Sequence, residues 1–133
     1  MKYMLDTNIC IYLIKKKPER VLEKLKSAIN AGVAISAITL AELEFGVALS
    51  SYPEKNADTL LQFLTAYKVL PFDLKAAAQY GLIRSDLQKK GKLIGQMDLL
   101  IAAHAKATGL ILVTNNTREF IRVEGLFAED WTK

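Results

Sequence analysis

Short apolar runs alternate along the chain with longer stretches in which apolar residues recur at helical spacing. The runs are typical of buried strands, and they predict strands over residues 3–5, 33–38, 69–72 and 110–113, with a short fifth within 126–131. The stretches between them predict helices over residues 8–16, 18–30, 40–49, 58–66, 74–89 and 98–107. Pro71 indicates that the third strand lies at a sheet edge. This alternation predicts an α/β fold in which helices cover both faces of a parallel sheet.

Composition narrows the class of protein. The chain has 133 residues and is 51% hydrophobic, which predicts one domain with a real core and excludes disorder. No apolar run approaches the roughly 20 residues that span a bilayer, and Asp6 interrupts the N-terminal apolar stretch too early for a signal peptide. We therefore expect a soluble, cytoplasmic protein with no membrane partner. Cys10 is the only cysteine, so an internal disulfide and a thiolate zinc cluster are excluded. The net charge of +4 permits a nucleic-acid partner without requiring one.

Acidic and amide side chains recur where the predicted elements meet. Asp6 follows the first strand, Glu42 follows the second, and Asp98 opens the last long helix. Asn116 follows the fourth strand, with Glu119 three residues later. The carboxyl ends of parallel strands lie at one edge of a sheet, where sites form. Carboxylates gathered there would repel one another, and a divalent metal ion is the simplest way to relieve that repulsion.

Helix capping offers a second explanation for several of these residues. Asp6 and Asp98 could each cap a helix. Thr39 with Glu42 fits the capping-box spacing, as does Asn116 with Glu119. Each pattern is weak alone, but their recurrence on one side of one sheet favours a site.

Two neighbouring residues fit the site less well. Glu44 lies about 200° round the helix from Glu42 and is expected to face away from it. His104 lies a net 240° or so round the helix from Asp98, so we expect a packing or surface role for it.

The donor chemistry points to a hard cation. Oxygen ligands without cysteine or a usable histidine suit Mg²⁺ or Mn²⁺ better than zinc. Such an ion fits phosphodiester hydrolysis, because it recruits water and offsets charge on the phosphate. Thr7, Asn8 and Thr114 are expected to support the carboxylates with further polar groups. Lys89, Lys90 and Lys92, which we call the basic loop, precede Asp98 and either contact phosphates that flank the cleaved bond or form a solvated helix end.

Five segments of the chain together resemble the PIN-domain ribonucleases, and within them the VapC-type toxins of toxin–antitoxin pairs. The segments are Met4-Leu5-Asp6-Thr7-Asn8, residues 38–43, residues 95–105, residues 112–120 and Glu129-Asp130-Trp131. The resemblance implies a three-layer α/β/α sandwich with a mainly parallel sheet of roughly five strands. It also implies Mg²⁺-dependent cleavage of RNA, with Mn²⁺ as a substitute, and a VapB-type antitoxin whose C-terminal tail fills the site.

The resemblance also implies the roles of individual residues. Family metal ligands match Asp6, Glu42 and Asp98, whereas the fourth position, often Asp, is Asn116 here. Glu119 is a candidate to replace the missing charge. Relatives with this closing motif are similar to the branch that cuts the anticodon loop of initiator tRNA.

Other readings of the sequence stay open. A haloacid-dehalogenase-like phosphatase needs a second Asp at the position of Asn8, and a dinucleotide-binding domain needs a glycine-rich motif that is absent. A non-catalytic module that only binds RNA or protein is a further alternative, although three acids are retained. The density of apolar residues on the first helix, Ile9, Ile11, Tyr12, Leu13 and Ile14, predicts an exposed patch and a homodimer.

Overall fold

The computed structural model describes residues 1–133, which form a five-stranded, wholly parallel sheet. The strands, in the spatial order β3-β2-β1-β4-β5, are β1 Tyr3–Leu5, β2 Val33–Ser36, β3 Lys68–Leu70, β4 Ile111–Val113 and β5 Ala128–Glu129. The predicted five-stranded parallel sheet is therefore confirmed. β3 lies at one edge with Pro71 directly after it, as the sequence indicated.

Seven α-helices connect the strands. They are α1 Thr7–Lys15, α2 Glu19–Ala28, α3 Ala37–Leu49, α4 Pro53–Leu64, α5 Leu74–Lys89, α6 Gln96–Thr108 and α7 Thr117–Phe120, and a 3-10 turn, Ile29–Ala31, follows α2. None of these helices combines the length and apolar character that a membrane-crossing segment needs.

Side chains that alternate along the central strands divide the core into two layers. Met4, Ala34 and Leu112, aligned across β1, β2 and β4, pack with α5, α6 and α7. Leu5, Ile35 and Val113, one residue further on, pack with α1, α2, α3 and α4. Strands buried on both faces explain why their sequences are continuously apolar rather than alternating. The predicted three-layer α/β/α sandwich is confirmed.

The second strand is shorter than predicted, and the capping box is wrong. β2 ends at Ser36, whose hydroxyl accepts the backbone N–H of Ile38 at 3.1 Å and so starts α3 there. Thr39 is therefore a buried residue inside α3 and not its cap. Glu42 thus lies in the second turn of the helix, where a capping role is not available to it.

Other boundaries differ for local reasons. α4 begins at Pro53 rather than at residue 58, because proline is favoured in the first turn of a helix. α6 begins at Gln96, so Asp98 lies in its first turn instead of at its start. α7 was not predicted as a helix, since four residues are too few to show helical spacing.

The expected exposed patch on the first helix is wrong. Ile9 and Leu13 are buried, and Ile11, Tyr12 and Ile14 are half-buried. All five pack in the core layer that includes α3 and α4. Helices that pack over α1 cover most of this surface, and Ile11 and Ile14 remain accessible only in a groove between α1, α3 and α4.

Candidate active site

The candidate polar residues gather at the point where the strand order of the sheet reverses. β1 lies at the centre of the sheet, with β2 on one side and β4 on the other. The connections after β1 and β4 run to opposite sides of the sheet. In an open α/β sheet, the crevice at the carboxyl ends of two such strands is the usual place for a site. Asp6 follows β1 directly, and Thr114 follows β4 directly.

Asp6 caps α1 and also faces the other acids. Its Oδ1 accepts the backbone N–H of Ile9 at 2.9 Å, and the residue is only 5% exposed. The pKa of Asp6 is raised to about 6, chiefly by burial and to a smaller extent by the charges of Glu42 and Asp130, whereas hydrogen bonds from the Thr114 hydroxyl and the Ile9 N–H lower it. The capping role predicted for Asp6 is confirmed, and the same carboxylate lies among the other candidate acids.

Glu42 is held by a hydrogen bond from α1. The Thr7 hydroxyl donates to Glu42 Oε1 at 2.6 Å, which links the helix after β1 to the helix after β2. Glu42 is half-buried, whereas Glu44 is exposed, in agreement with the predicted divergence of the two acids around α3. Thr7 thus orients one of the candidate ligands.

Asp98 and Glu119 form the other half of the acidic cluster. Burial, followed by the charge and contact of Glu119, raises the pKa of Asp98 to about 6, and Asp6 and Glu42 add to this effect. Asp98 is half-buried in the first turn of α6, where the helix dipole favours an anion. The four acids therefore act on one another electrostatically, although four different elements carry them.

A polar network orders the segment after β4. The buried Thr114 hydroxyl accepts the Asn116 backbone N–H at 2.9 Å. Asn115 donates to the Tyr12 hydroxyl at 3.0 Å and accepts from Asn8 Nδ2 at 3.4 Å. The Asn116 side chain does not cap α7. Thr114 thus fixes the backbone at Asn116, and Asn8 helps to hold the Asn115 side chain.

Two residues of this region were absent from the predicted site. Asn115 joins α1 to the segment after β4, and its place in a polar run directly after a strand was an available signal. Asp130 follows β5, which pairs in parallel with β4 and so brings its carboxyl end to the same sheet edge. Its place in the closing motif Glu129-Asp130-Trp131 was an available signal, and the sheet topology brings it near Asp6.

The remaining candidates lie apart from the carboxylates. In the basic loop, Lys90 pairs with Asp86 at 3.1 Å, while Lys89 and Lys92 are exposed. His104 is buried, with Nδ1 2.7 Å from the Ser36 hydroxyl oxygen and its ring against Phe72. The packing role predicted for His104 is confirmed.

The donor set fits a hard cation in its chemistry. It consists of carboxylates that have no lysine or arginine partner, since the one ion pair of the chain lies elsewhere. No three Asp, Glu, His or Cys side chains stand at the spacing of a preformed metal cage. Carboxylates that share an ion here would therefore rotate towards one another.

Comparison with known proteins identifies the family. Residues 3–126 match the PIN domain. The chain is also 49% identical over 132 residues to "Ribonuclease VapC2" of Haemophilus influenzae, with 98% of each chain covered. The chain belongs to the VapC-type PIN-domain family. A second relative of this PIN domain, at 47% identity and 99% coverage of both chains, is "tRNA(fMet)-specific endonuclease VapC" of Shigella flexneri.

Solved structures of VapC-type proteins have the same fold. This PIN domain is similar to a chain in the crystal structure of VapBC2 from Rickettsia felis bound to a promoter DNA fragment. The TM-score is 0.93, the identity is 43%, and 98% of this chain and 99% of that chain are covered. A chain of DNA-bound VapBC from Salmonella typhimurium gives the same TM-score at 44% identity, with 98% of each chain covered. PIN-domain ribonucleases generally depend on a divalent metal.

Proposed function

We propose that the chain is a Mg²⁺-dependent endoribonuclease toxin that hydrolyses RNA phosphodiester bonds and is neutralised by a VapB-type antitoxin. One observation carries the proposal. Asp6, Glu42, Asp98 and Glu119 come from four elements to one crevice, where burial and the neighbouring acids raise the pKa of Asp6 and of Asp98 and none of the four pairs with a cation. A cluster of unpaired acids does not stabilise a fold, so its presence favours a catalytic role.

Asp6, Glu42 and Asp98 are the residues that would hold the ion. All three offer carboxylate oxygens, which Mg²⁺ and Mn²⁺ prefer. The bound cation would offset the negative charge of the phosphate and lower the pKa of a bound water, and both effects promote phosphodiester hydrolysis. Thr7 occupies only Oε1 of Glu42, which leaves Oε2 without a hydrogen bond from the chain.

The other residues of the site handle protons and position the backbone. Hydrolysis adds water to the phosphorus and breaks the bond to one ribose oxygen, so one proton leaves the water and one reaches the departing oxygen. Glu119, which contacts Asp98 but is not one of the three proposed metal ligands, is the carboxyl group suited to move such a proton. Glu119, which contacts Asp98, supplies the charge that Asn116 lacks.

The RNA substrate that we favour is the anticodon loop of a tRNA, initiator tRNA first, with the cytoplasm as the compartment. Two relatives at 47% and 44% identity are tRNA(fMet)-specific endonucleases. A loop suits the site, because sequence-specific readers of RNA act on unpaired bases. The basic loop is the candidate contact for flanking phosphates, with Lys90 the weakest member because Asp86 already pairs with it.

A groove beside the site suits the antitoxin. It measures about 310 Å³, lies between α1, α3 and α4, and is lined by Ile11, Ile14, Val47 and Leu60, with Glu42 at its polar end. An amphipathic helix fits such a groove, and an arginine at its tip could pair with the acids. Ile14→Arg should weaken antitoxin binding without loss of RNA cleavage, and equal binding by this variant would exclude the groove.

We also propose a homodimer. The large apolar side chains of Leu49 and Leu61, on α3 and α4, are 73% and 66% exposed, and surfaces of this kind mark partner sites. Light scattering of the purified chain should give twice the monomer mass at micromolar concentration. A monomer mass would exclude the dimer and leave the catalytic proposal intact.

A cleavage assay on amide variants tests the catalytic proposal. Purified wild-type chain should cut a labelled tRNA in Mg²⁺ and lose this activity in EDTA. Asp6→Asn, Glu42→Gln and Asp98→Asn should each lose about 10²- to 10³-fold in rate, the usual effect of removing a charge-stabilising group. Glu44→Gln is the matched control, because Glu44 lies on the same helix as Glu42 but is exposed.

The control decides what a loss of rate means. Full activity in EDTA, or wild-type activity in Asp6→Asn, would contradict the metal site. An equal loss in Glu44→Gln would show that the variants act through general charge and not through the crevice.

A further inference from the structure

A cleft lies beside α7, the helix that carries Glu119. It has a volume of about 730 Å³ and begins at Asn115 and Asn116, the residues that follow the buried Thr114. α7, the chain around β5 and Lys133 form its walls. A cleft of this size accommodates a ligand as large as a nucleotide. The proposed hydrolysis involves only the edge of the cleft at Asn115 and Asn116, so the rest of the cleft needs another explanation.

The lining combines a cation with exposed apolar side chains. Arg118 is exposed and forms no ion pair, and none of the ten lining side chains is acidic. Phe127 is 71% exposed and Ile121 is 82% exposed. An unpaired arginine and an exposed aromatic ring in one cleft are a combination that binds single-stranded nucleic acid, because the cation attracts the phosphate and the ring stacks on the base.

The backbone that carries these groups is fixed. The Phe127 carbonyl accepts the backbone N–H of Leu112 at 2.9 Å, so the exposed ring stands on a strand-bonded main chain. The Asn115 side chain is held by Tyr12 and Asn8, and the Asn116 amide makes no capping bond to α7. A rigid aromatic and a free amide offer stacking and hydrogen bonding to one base.

We propose that this cleft binds an unpaired nucleotide of the RNA substrate next to the cleaved bond, with its base stacked on Phe127 and its phosphate paired with Arg118. The proposal rests on the ribonuclease function proposed above and names the subsite that gives it a preference for loops. Asn116 contacts the same nucleotide from the carboxylate side of the cleft. A base in a duplex cannot leave its stack without cost, so duplex RNA is bound less well.

Binding measured in the inactive Asp6→Asn parent isolates the cleft from catalysis. Fluorescence anisotropy with a labelled stem-loop RNA should show that Phe127→Ala raises the Kd at least about fivefold, while Phe127→Tyr binds like the parent, because tyrosine keeps the ring. Phe127→Leu, which keeps apolar bulk without a ring, should bind like Phe127→Ala. Arg118→Ala should lower the salt slope of binding by about 0.7, the value for one phosphate contact of a single strand.

Matched controls separate the cleft from general surface effects. Tyr52 is also 71% exposed but lies outside the cleft, so Tyr52→Ala should bind RNA like the parent. Arg20→Ala, on α2, should keep the parent's salt slope. Phe127→Ala and Arg118→Ala should have the same Tm as the parent, since both truncated side chains are exposed.

The outcomes are distinct. A Phe127→Ala Kd equal to that of the parent overturns the cleft and leaves the ribonuclease function standing if the wild-type chain cleaves RNA. Unchanged RNA binding with weaker antitoxin binding assigns the cleft to the antitoxin and also overturns the proposal. A parent that binds no RNA, together with a wild-type chain that cuts none, overturns the function and the cleft alike.

Discussion

Replacing Asp6 by Asn should stabilise the fold while it removes activity. Burial and the neighbouring acids raise the pKa of Asp6 from 3.8 to about 6, so the charged form is disfavoured in the folded chain. A difference of about two in pKa corresponds to about 3 kcal/mol, at about 1.36 kcal/mol for each pKa unit. Asn keeps the side-chain oxygen that accepts the Ile9 N–H, so the cap of α1 survives.

The sign follows from proton linkage. An acid whose folded pKa is raised destabilises the fold increasingly as pH rises from about 4 to about 6, because the unfolded chain loses its proton first. At pH 7.5 in EDTA we expect Asp6→Asn to gain about 1 to 3 kcal/mol over wild type, a rise in Tm of about 4 to 12 °C. The lower bound allows for the cost of accommodating the new amide N–H groups.

Thermal unfolding of both proteins at several pH values measures the effect. The gain should disappear below pH 4, where Asp6 is protonated in both states. Burial lowers the pKa of His104, which destabilises the fold below pH 6.5, but this effect is common to both proteins and cancels in their difference. A gain as large at pH 4 as at pH 7.5, or a destabilised variant at every pH, would refute the reasoning.

Three further predictions concern the groups around the carboxylates. Glu119→Gln should lower the pKa of Asp98, so the acid limb of the cleavage pH profile should move to lower pH. The Mg²⁺ concentration that gives half-maximal cleavage should rise. An unchanged pH profile and an unchanged Mg²⁺ midpoint would leave Glu119 without a role in the site. Thr7→Val removes the donor to Glu42 and should lower kcat about tenfold with little change in Tm, whereas a full-rate variant would show that Glu42 needs no support. Alanine in place of all three lysines of the basic loop should reduce the salt slope of RNA binding by at most about 2, and an unchanged slope would make the loop a solvated helix end.

The sequence predicted the sheet and its acidic edge because both depend on local pattern. Apolar runs bounded by turns indicated the strands, and the polar residues after them followed from the parallel topology. Its main error concerned Thr39 and Glu42, where a capping-box spacing was present but Ser36, three residues earlier, started the helix. Two residues of similar capping strength cannot be ranked from the sequence unless the last residue of the preceding strand is known.

Contacts between distant segments were beyond the reach of pattern. The bond from Thr7 to Glu42 joins residues 35 positions apart, and the bond from Asn115 to Tyr12 spans 103 positions. Asp130 lies near Asp6 because β5 lies beside β4, and the closing motif that contains Asp130 does not show which strand β5 pairs with. The burial of α1 by α3 and α4 was missed for the same reason.

The central claim is that Asp6, Glu42 and Asp98 hold one divalent ion, and anomalous scattering from crystals of the wild-type chain grown with Mn²⁺ tests it most directly. We predict an anomalous peak in the crevice beyond β1, within coordination distance of a carboxylate oxygen from each of the three residues, and no such peak in crystals of Asp6→Asn. A well-ordered crevice with no peak at millimolar Mn²⁺, or a peak bound by other side chains, would contradict the account.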